Sequence, residues 1–305
     1  MAITAAQVKE LRERTGAGMM DCKKALQEAG GDMEKAIEIL RKKGIAKAAK
    51  KADRVASEGT IAVEVSEDGK CATIVEVNSE TDFVAKNENF KALVEKVKGH
   101  IAASEVKTVE ELYATTIDGV TFEEYMKEEI AKIGENIVVR RFDRICVDGP
   151  GAVAGYLHMG GKIGVIVAAA CDSEKTCEAI RPLLKDIAMH IAAMNPKYLD
   201  EAAIPADVIE KEKEIAAAQL EKEGKPANII EKIIPGKIKK FVEENTLLGQ
   251  KFVKDDKKSV QQILEEAAKA VGGTAKIIKF VRYELGEGIE KKQDDFAAEV
   301  AAQMK

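Results

Sequence analysis

The side chains with the richest chemistry in this sequence are cysteine and histidine, which bind metals, form disulfides or act as nucleophiles and bases. They are Cys22, Cys71, Cys146, Cys171, Cys177, His100, His158 and His190. Neither type has the spacing of a metal site, and five cysteines with these spacings do not match a disulfide framework. We therefore predict reduced thiols, as in a cytosol, and no bound metal.

The short motifs of catalysis and phosphate binding are also missing. The sequence has no phosphate-binding loop of the Walker type, no GxSxG and no HExxH. Gly16-Ala17-Gly18 is a lone GxG between two predicted helices, whereas a dinucleotide site needs a strand-to-helix turn. We therefore predict that the chain is not an enzyme, uses no cofactor and binds no nucleotide alone. Docking onto a partner protein and changing its shape is the expected mode of action.

Composition and charge narrow the class of partner that the chain can bind. The chain has 305 residues, of which 46% are hydrophobic and 33% charged, and a net charge of −5. Length allows roughly two domains, and the charge provides no bulk positive field for nucleic acid. The first residues do not form a signal peptide, and no apolar window approaches the ~18 residues of a membrane span. We expect a cytoplasmic protein that contacts neither membrane nor nucleic acid.

Three features are candidates for contact with a partner, and each has a structural alternative. Phe83 stands beside Asp82 in a polar loop after a strand; it either packs back on the next helix as a hydrophobic staple, which is commoner, or protrudes. Met19 and Met20 follow a glycine turn and are either core, the commoner role, or a pliable contact surface. His158 lies at a hairpin tip, where a lone histidine is more often incidental.

A basic stretch, residues 41–54, contains seven basic residues and one acidic residue. Such a run is usually a solvated linker, but it can also bind a phosphate backbone. No aromatic residue interleaves it, so the linker is favoured. A ribosome- or RNA-associated protein that uses this stretch is the alternative function.

The first 50 or so residues predict three short helices. Thr4 and Gln7 form a capping box for the first, and the glycines of 15–18 end it. The second runs from about Met20 to Ala29, and Asp32 caps the third. So small a three-helix unit is typical of a docking module.

An internal repeat follows. Each copy consists of a hairpin, a helix with an apolar stripe and a later strand. The hairpin strands are 59–65 with 72–77 and 151–157 with 164–168, the helical stripes begin at Phe90 and Ile180, and the later strands are 136–142 and 275–283. The pattern predicts two related α+β subdomains, each a three-stranded antiparallel sheet backed by helices.

The second copy carries an insertion, residues 205–252, that predicts a projecting, charged helical hairpin. Pro235-Gly236 should kink or break its second arm. A short helix is expected at 296–304. The predicted parts are a docking module 1–54, a subdomain 55–146, a subdomain 147–285 with the hairpin at about 206–246, and a C-terminal module 286–305.

Several of these segments together resemble the bacterial translation elongation factor Ts family. Residues 9–26, KELRERTGAGMMDCKKAL, look like its N-terminal, UBA-like domain, and residues 81–85, TDFVA, look like its signature loop. KIGENI at 132–137 and GEGIEK at 286–291 also match. The matches occur in the right order along essentially the whole chain. Pro235 departs from the uninterrupted helix expected in this family.

The resemblance implies guanine-nucleotide exchange on elongation factor Tu, the GTPase that delivers aminoacyl-tRNA to the ribosome. Asp82 and Phe83 would enter its GTPase domain, and Phe83 would displace elements that hold Mg²⁺ and phosphate. The residues implied around this wedge are Thr81, Asp82, Phe83, Val84 and Ile133. Those implied in other contacts with the partner are Arg12, Met19, Met20, Lys23 and His158.

Overall fold

A computed structural model describes residues 3–290 of the chain. The chain folds as two compact units. Among the described residues, the first contains residues 3–60, Val75–Phe142 and residues 284–290. The second contains Ile61–Ile74 and Asp143–Tyr283.

The N-terminal part of the first unit consists of three helices, as predicted. They are α1 (Ala5–Thr15), α2 (Met19–Glu28) and α3 (Met33–Ala49). The Thr4–Gln7 capping box is present, and Gly16 ends α1 at φ +66°, where a residue with a Cβ would be strained. The Asp32 side chain caps α3 by accepting the Lys35 amide. The apolar faces of the three helices form a small core of their own.

The linker interpretation of residues 41–54 is wrong over most of its length, because α3 continues to Ala49. Two of the basic side chains pair with acids outside the stretch. Arg41 lies 2.7 Å from Glu128, and Lys47 lies 2.9 Å from Asp21. Local charge patterning does not reveal these tertiary partners.

Between residues 58 and 146 the chain forms the first copy of the repeat. Its elements are β1 (Glu58–Val65), β2 (Cys71–Ser79), α4 (Asp82–Ala85), α5 (Glu88–Ala103), α6 (Val109–Tyr113), β3 (Thr116–Ile117), β4 (Val120–Thr121), α7 (Phe122–Ile133) and β5 (Val138–Cys146). The predicted stripe of α5 is buried from Phe90 to Ile101. β1, β2 and β5 form one sheet in the order β1-β2-β5.

The second copy occupies residues 151–284. Its elements are β6 (Gly151–His158), β7 (Ile163–Cys171), α8 (Glu174–Met194), α9 (Ala206–Lys222), α10 (Ala227–Asn245), β8 (Lys251–Phe252), β9 (Asp255–Ser259), α11 (Val260–Lys269) and β10 (Ala275–Glu284), with a 3₁₀ turn at Glu201–Ala203. β6 and β7 pair antiparallel, with Gly151 opposite Ala170, and the sheet order is β10-β7-β6. The α8 stripe packs on this sheet around Ile180 and Leu184.

The two sheets have the same topology. In each, the two hairpin strands are neighbours, and the later strand lies beside the second strand of the hairpin. The predicted fold class, two related α+β subdomains with small antiparallel sheets, is therefore confirmed.

The insertion is a helical hairpin, α9 and α10, held together by buried Ala216, Leu220 and Ile230. The expectation that Pro235 breaks the second arm is wrong, because α10 runs through it without interruption. An internal proline removes one backbone hydrogen bond, and a helix can continue across that gap.

The base of this hairpin is closed by backbone hydrogen bonds. The Asn245 carbonyl accepts the Lys197 amide at 3.0 Å, and the Leu247 amide donates to the Tyr198 carbonyl at 2.8 Å. The chain therefore enters and leaves the hairpin at one place.

The prediction of reduced thiols is wrong for two cysteines, because Cys71 and Cys146 form a disulfide. They are 75 residues apart in sequence, but β2 and β5 are neighbouring strands and bring their Cα atoms to 4.1 Å. Sequence spacing alone does not reveal this proximity. The other cysteines, Cys22, Cys171 and Cys177, are free.

A buried glutamate holds the last described segment against the first sheet. Glu76 is fully buried and accepts hydrogen bonds from Arg141 Nε at 2.6 Å, the Gly286 amide at 2.8 Å and Arg140 Nη1 at 3.2 Å. Burial alone would raise the pKa of Glu76, but the hydrogen bonds from Gly286 and Arg141 outweigh it and lower the pKa. The charged carboxylate therefore stabilises the fold.

Within residues 3–290, no helix is long and apolar enough to cross a membrane. The helix predicted at 296–304 lies outside the described residues.

Candidate functional site

Phe83 lies on α4, a single helical turn that begins directly after β2 and the short loop 80–81. Its side chain is 82% exposed, whereas Phe90, seven residues later, is fully buried. The staple interpretation of Phe83 is therefore wrong. A large aromatic ring held in water on an ordered turn is a candidate for burial in a partner.

The carboxylate beside this ring is charged. Asp82 Oδ2 lies 2.6 Å from Lys86 Nζ, one helical turn further along the chain. This hydrogen bond lowers the pKa of Asp82 below its ordinary value. The turn thus presents an exposed apolar ring and an anionic group side by side.

Thr81 begins the turn and connects it to the chain after α7. Its Oγ1 accepts the Val84 amide at 3.3 Å, which is the N-cap of α4. Glu135 accepts hydrogen bonds from both donors of Thr81: the amide donates to Oε2 at 3.0 Å, and the hydroxyl donates to Oε1 at 2.6 Å. Ile133, which is half-buried, ends α7 two residues before Glu135. The structure thus links the turn that carries Phe83 to the chain two residues after Ile133.

Glu80, on the Thr81 side, accepts a hydrogen bond from the loop after α7 in return. Glu80 Oε1 accepts the Asn136 amide at 2.6 Å, and its other oxygen lies 3.5 Å from Arg54. The Asn136 side chain is buried and donates to the carbonyls of Ala52 at 3.3 Å and Arg54 at 2.8 Å. The end of the N-terminal helices is therefore fastened to the same two loops.

Sequence reasoning gave no role to Glu80, Glu135 and Asn136. Glu135 and Asn136 lie in the KIGENI segment, and Glu80 directly precedes Thr81. The one signal in the sequence was the acid Glu80 directly before Thr81. Glu80 pairs with Asn136, more than fifty residues away, so only the fold shows the pairing.

The second group of predicted contact residues is exposed on the N-terminal helices of the first unit. Met19 is 55% and Met20 64% exposed at the start of α2, so their interpretation as core is wrong. Arg12 on α1 and Lys23 on α2 are also exposed. Exposed methionines between basic side chains provide an adaptable, partly apolar surface.

His158 lies in the second unit, at the end of β6, and is exposed. Its Nδ1 is 3.0 Å from Tyr156 Oη. The next residue, Met159, is 64% exposed and has φ +50°, in the left-handed region that the tight turn requires. This tip therefore presents two side chains to solvent on a rigid hairpin.

The other histidines have structural environments. His190 is fully buried; its Nδ1 accepts the Val253 amide at 3.1 Å, and its Nε2 lies 3.0 Å from Gln250 Oε1. Burial lowers the pKa of His190, which keeps the ring neutral. His100 stacks on Phe122. Among residues 3–290, no group of three or more His, Cys, Asp or Glu side chains is arranged to hold a metal ion.

Comparisons with a family model and with known proteins all point to the same family. A family model described as Elongation factor TS matches residues 80–287, which include the Phe83 turn and His158. The protein named Elongation factor Ts of a Nitratiruptor species is 86% identical over 305 residues, the whole of both chains. The proteins of the same name from Nautilia profundicola and a strain of Clostridium perfringens are 59% and 55% identical, each over 98% of both chains.

Proposed function

Because the chain belongs to the elongation factor Ts family, we propose that it is a guanine-nucleotide exchange factor for elongation factor Tu in translation. It promotes release of GDP and replacement by GTP, and it does so in the cytoplasm. The observation that carries the proposal is the exposed Phe83 on an ordered turn beside a charged Asp82.

The mechanism that we propose is insertion. Phe83 enters the GTPase domain of the partner, and burial of its ring supplies roughly 1.5–3 kcal/mol to the complex. Asp82 enters with it, and Ile133 packs beside them. The inserted turn displaces the elements that hold Mg²⁺ and phosphate, so the charges of the phosphates lose their compensation.

Thermodynamic linkage turns this binding into exchange. A protein that prefers the nucleotide-free partner must weaken nucleotide binding by the factor by which nucleotide weakens its own binding. The exchange factor therefore needs no covalent chemistry, no cofactor and no nucleotide site of its own.

The remaining contacts provide affinity apart from the wedge. We propose that Arg12, Met19, Met20 and Lys23 meet the same GTPase domain, where the methionines adapt to the partner surface. His158 supplies a separate contact from the second unit.

The RNA-binding alternative is less well supported. Arg41 and Lys47 of the basic stretch already pair with Glu128 and Asp21 of the same chain. A cation engaged in this way must give up its partner before it can bind a phosphate, which reduces the gain from counterion release.

The test is release of labelled GDP from elongation factor Tu, with and without catalytic amounts of this protein. We expect many turnovers of release per molecule added and no GTP hydrolysis by the isolated chain. An unchanged release rate, or tight binding of GDP to the isolated chain, would contradict the proposal. RNA affinity that falls steeply with salt would favour the alternative.

A further inference from the structure

We propose that Glu135 is a positioning residue for nucleotide exchange: through Thr81 it fixes the turn that carries Asp82 and Phe83. This inference rests on the proposed function. Glu135 itself need not touch the partner.

Packing holds the turn only weakly. α4 has only four residues, Asp82–Ala85; none of them is buried, and only Val84 and Ala85 are half-buried. A helix this short is unstable alone, because nucleation costs more than its few hydrogen bonds return. The hydrogen bonds at the start of the turn therefore contribute much of what fixes the position of Phe83.

The Thr81 hydroxyl has a single proton to donate. The hydroxyl donates this proton to Glu135 Oε1, so its lone pairs remain free to accept the Val84 amide. Glu135 therefore orients the cap. Its other oxygen accepts the Thr81 amide, so the backbone at the start of the turn is fixed as well.

The two loops support each other. Glu80 accepts the Asn136 amide while Glu135 accepts the Thr81 amide, so each loop supplies an acceptor to the other. Asn136 is buried and bonded to the carbonyls of Ala52 and Arg54. Glu135 is thus held from behind by a buried neighbour, which makes it a fixed support.

Only a carboxylate performs this task. It accepts at both oxygens, whereas a glutamine of the same shape accepts at one and donates at the other. Glu135→Gln should therefore leave one Thr81 donor without its acceptor and loosen the cap, with almost no change in volume.

The experiment compares Glu135→Gln with wild type and with Glu95→Gln. Glu95 is an exposed residue on α5 that pairs with Lys98 in the same helix, and it lies outside the wedge. We expect Glu135→Gln to slow GDP release from elongation factor Tu roughly tenfold, the order expected for loss of one hydrogen bond to a charged group. Glu95→Gln should match wild type. Amide hydrogen exchange at residues 81–84 should accelerate in Glu135→Gln alone.

A double-mutant cycle separates positioning from general stability. If Glu135 acts through the position of the turn, Glu135→Gln should slow GDP release much less in a Phe83→Ala background, where only the position of Asp82 is still at stake, than in the wild-type background. Thr81→Val, which replaces the hydroxyl by a methyl group and keeps the backbone amide, should also slow exchange mainly through Phe83 and serves as the second variant if Glu135→Gln folds poorly.

Two results would overturn the inference: a wild-type rate for folded Glu135→Gln, or slowing by Glu135→Gln of equal size with and without Phe83. Failure of the proposed function is distinct, because the wild-type protein itself would then not accelerate GDP release.

Discussion

Replacing Phe83 or Phe90 by alanine should have opposite effects on fold stability and on nucleotide exchange. Phe83 is 82% exposed, so Phe83→Ala should change the free energy of unfolding by no more than about 0.5 kcal/mol, as at other surface positions. Phe90 is fully buried on α5, so Phe90→Ala should cost about 3–5 kcal/mol. For units of this size, the melting temperature of Phe90→Ala should fall by roughly 6–20 °C.

The expectations for exchange are reversed. If elongation factor Tu buries the whole ring of Phe83, Phe83→Ala loses roughly 1.5–3 kcal/mol of differential binding. GDP release should then slow about 10- to 150-fold at limiting exchange factor. Asp82→Ala should act in the same direction. Phe90→Ala, assayed well below its melting temperature, should exchange at the wild-type rate per folded molecule.

The assay is a paired measurement on each protein: a thermal melt followed by circular dichroism, and release of labelled GDP from elongation factor Tu. Wild type and Glu95→Gln provide the reference values. The reasoning is refuted if Phe83→Ala melts far below wild type while Phe90→Ala does not, because Phe83 would then be a core residue and Phe90 would not.

Three further predictions test other parts of the molecule. Folding lowers the pKa of Glu76, so the stability that Glu76 contributes is complete above the ordinary pKa of 4.5 and is lost as pH falls through the folded value. Glu76→Gln should therefore lower the free energy of unfolding by about 3 kcal/mol at pH 7. Urea unfolding across a pH series should show that the variant loses less stability than wild type as the pH falls. Replacing residues 207–243 with a Gly-Ser linker should leave a cooperative melt and most of the basal exchange, because the hairpin base at Asn245 stays intact; loss of cooperativity would show that the hairpin supports the core. Removing residues 1–50 should leave cooperative unfolding but reduce exchange sharply, and a full rate for the truncated chain would exclude a docking role for the N-terminal helices.

The elements that were predictable from sequence are those whose signals are local. The hairpin strands and the stripe that starts at Phe90 follow from side-chain periodicity within ten to fifteen residues, and the caps of Thr4 and Asp32 depend on neighbours three residues away. Their existence and type were therefore correct, as was the duplication, which shows as the same pattern twice.

The features that were missed depend on distant partners. The basic residues after Leu40 look like a linker until Asp21 and Glu128 are placed beside them. The Cys71–Cys146 disulfide needs the strand order, which spacing does not give.

At the candidate site, local sequence patterns favoured Phe83 as a hydrophobic staple on the next helix, whereas its side chain is exposed to solvent in the structure. The resemblance of the surrounding loop to a known family was the signal that pointed to a contact role. Glu135 also lies in a segment that resembles the family, but the resemblance gave it no role, because its bond to Thr81 is visible only in the folded chain.

The closed base of the helical hairpin makes this arm an attachment point for protein engineering. The arm is anchored where Asn245 and Leu247 bond to residues 197 and 198, and its two helices have 17 and 19 residues. At 1.5 Å per residue, the turn at Gly224 lies about 25 Å from that anchor. A fluorescent domain or an affinity tag inserted at this turn would be carried clear of the anchor and would leave the register of every strand unchanged. The arm thus offers a handle for following the protein during exchange.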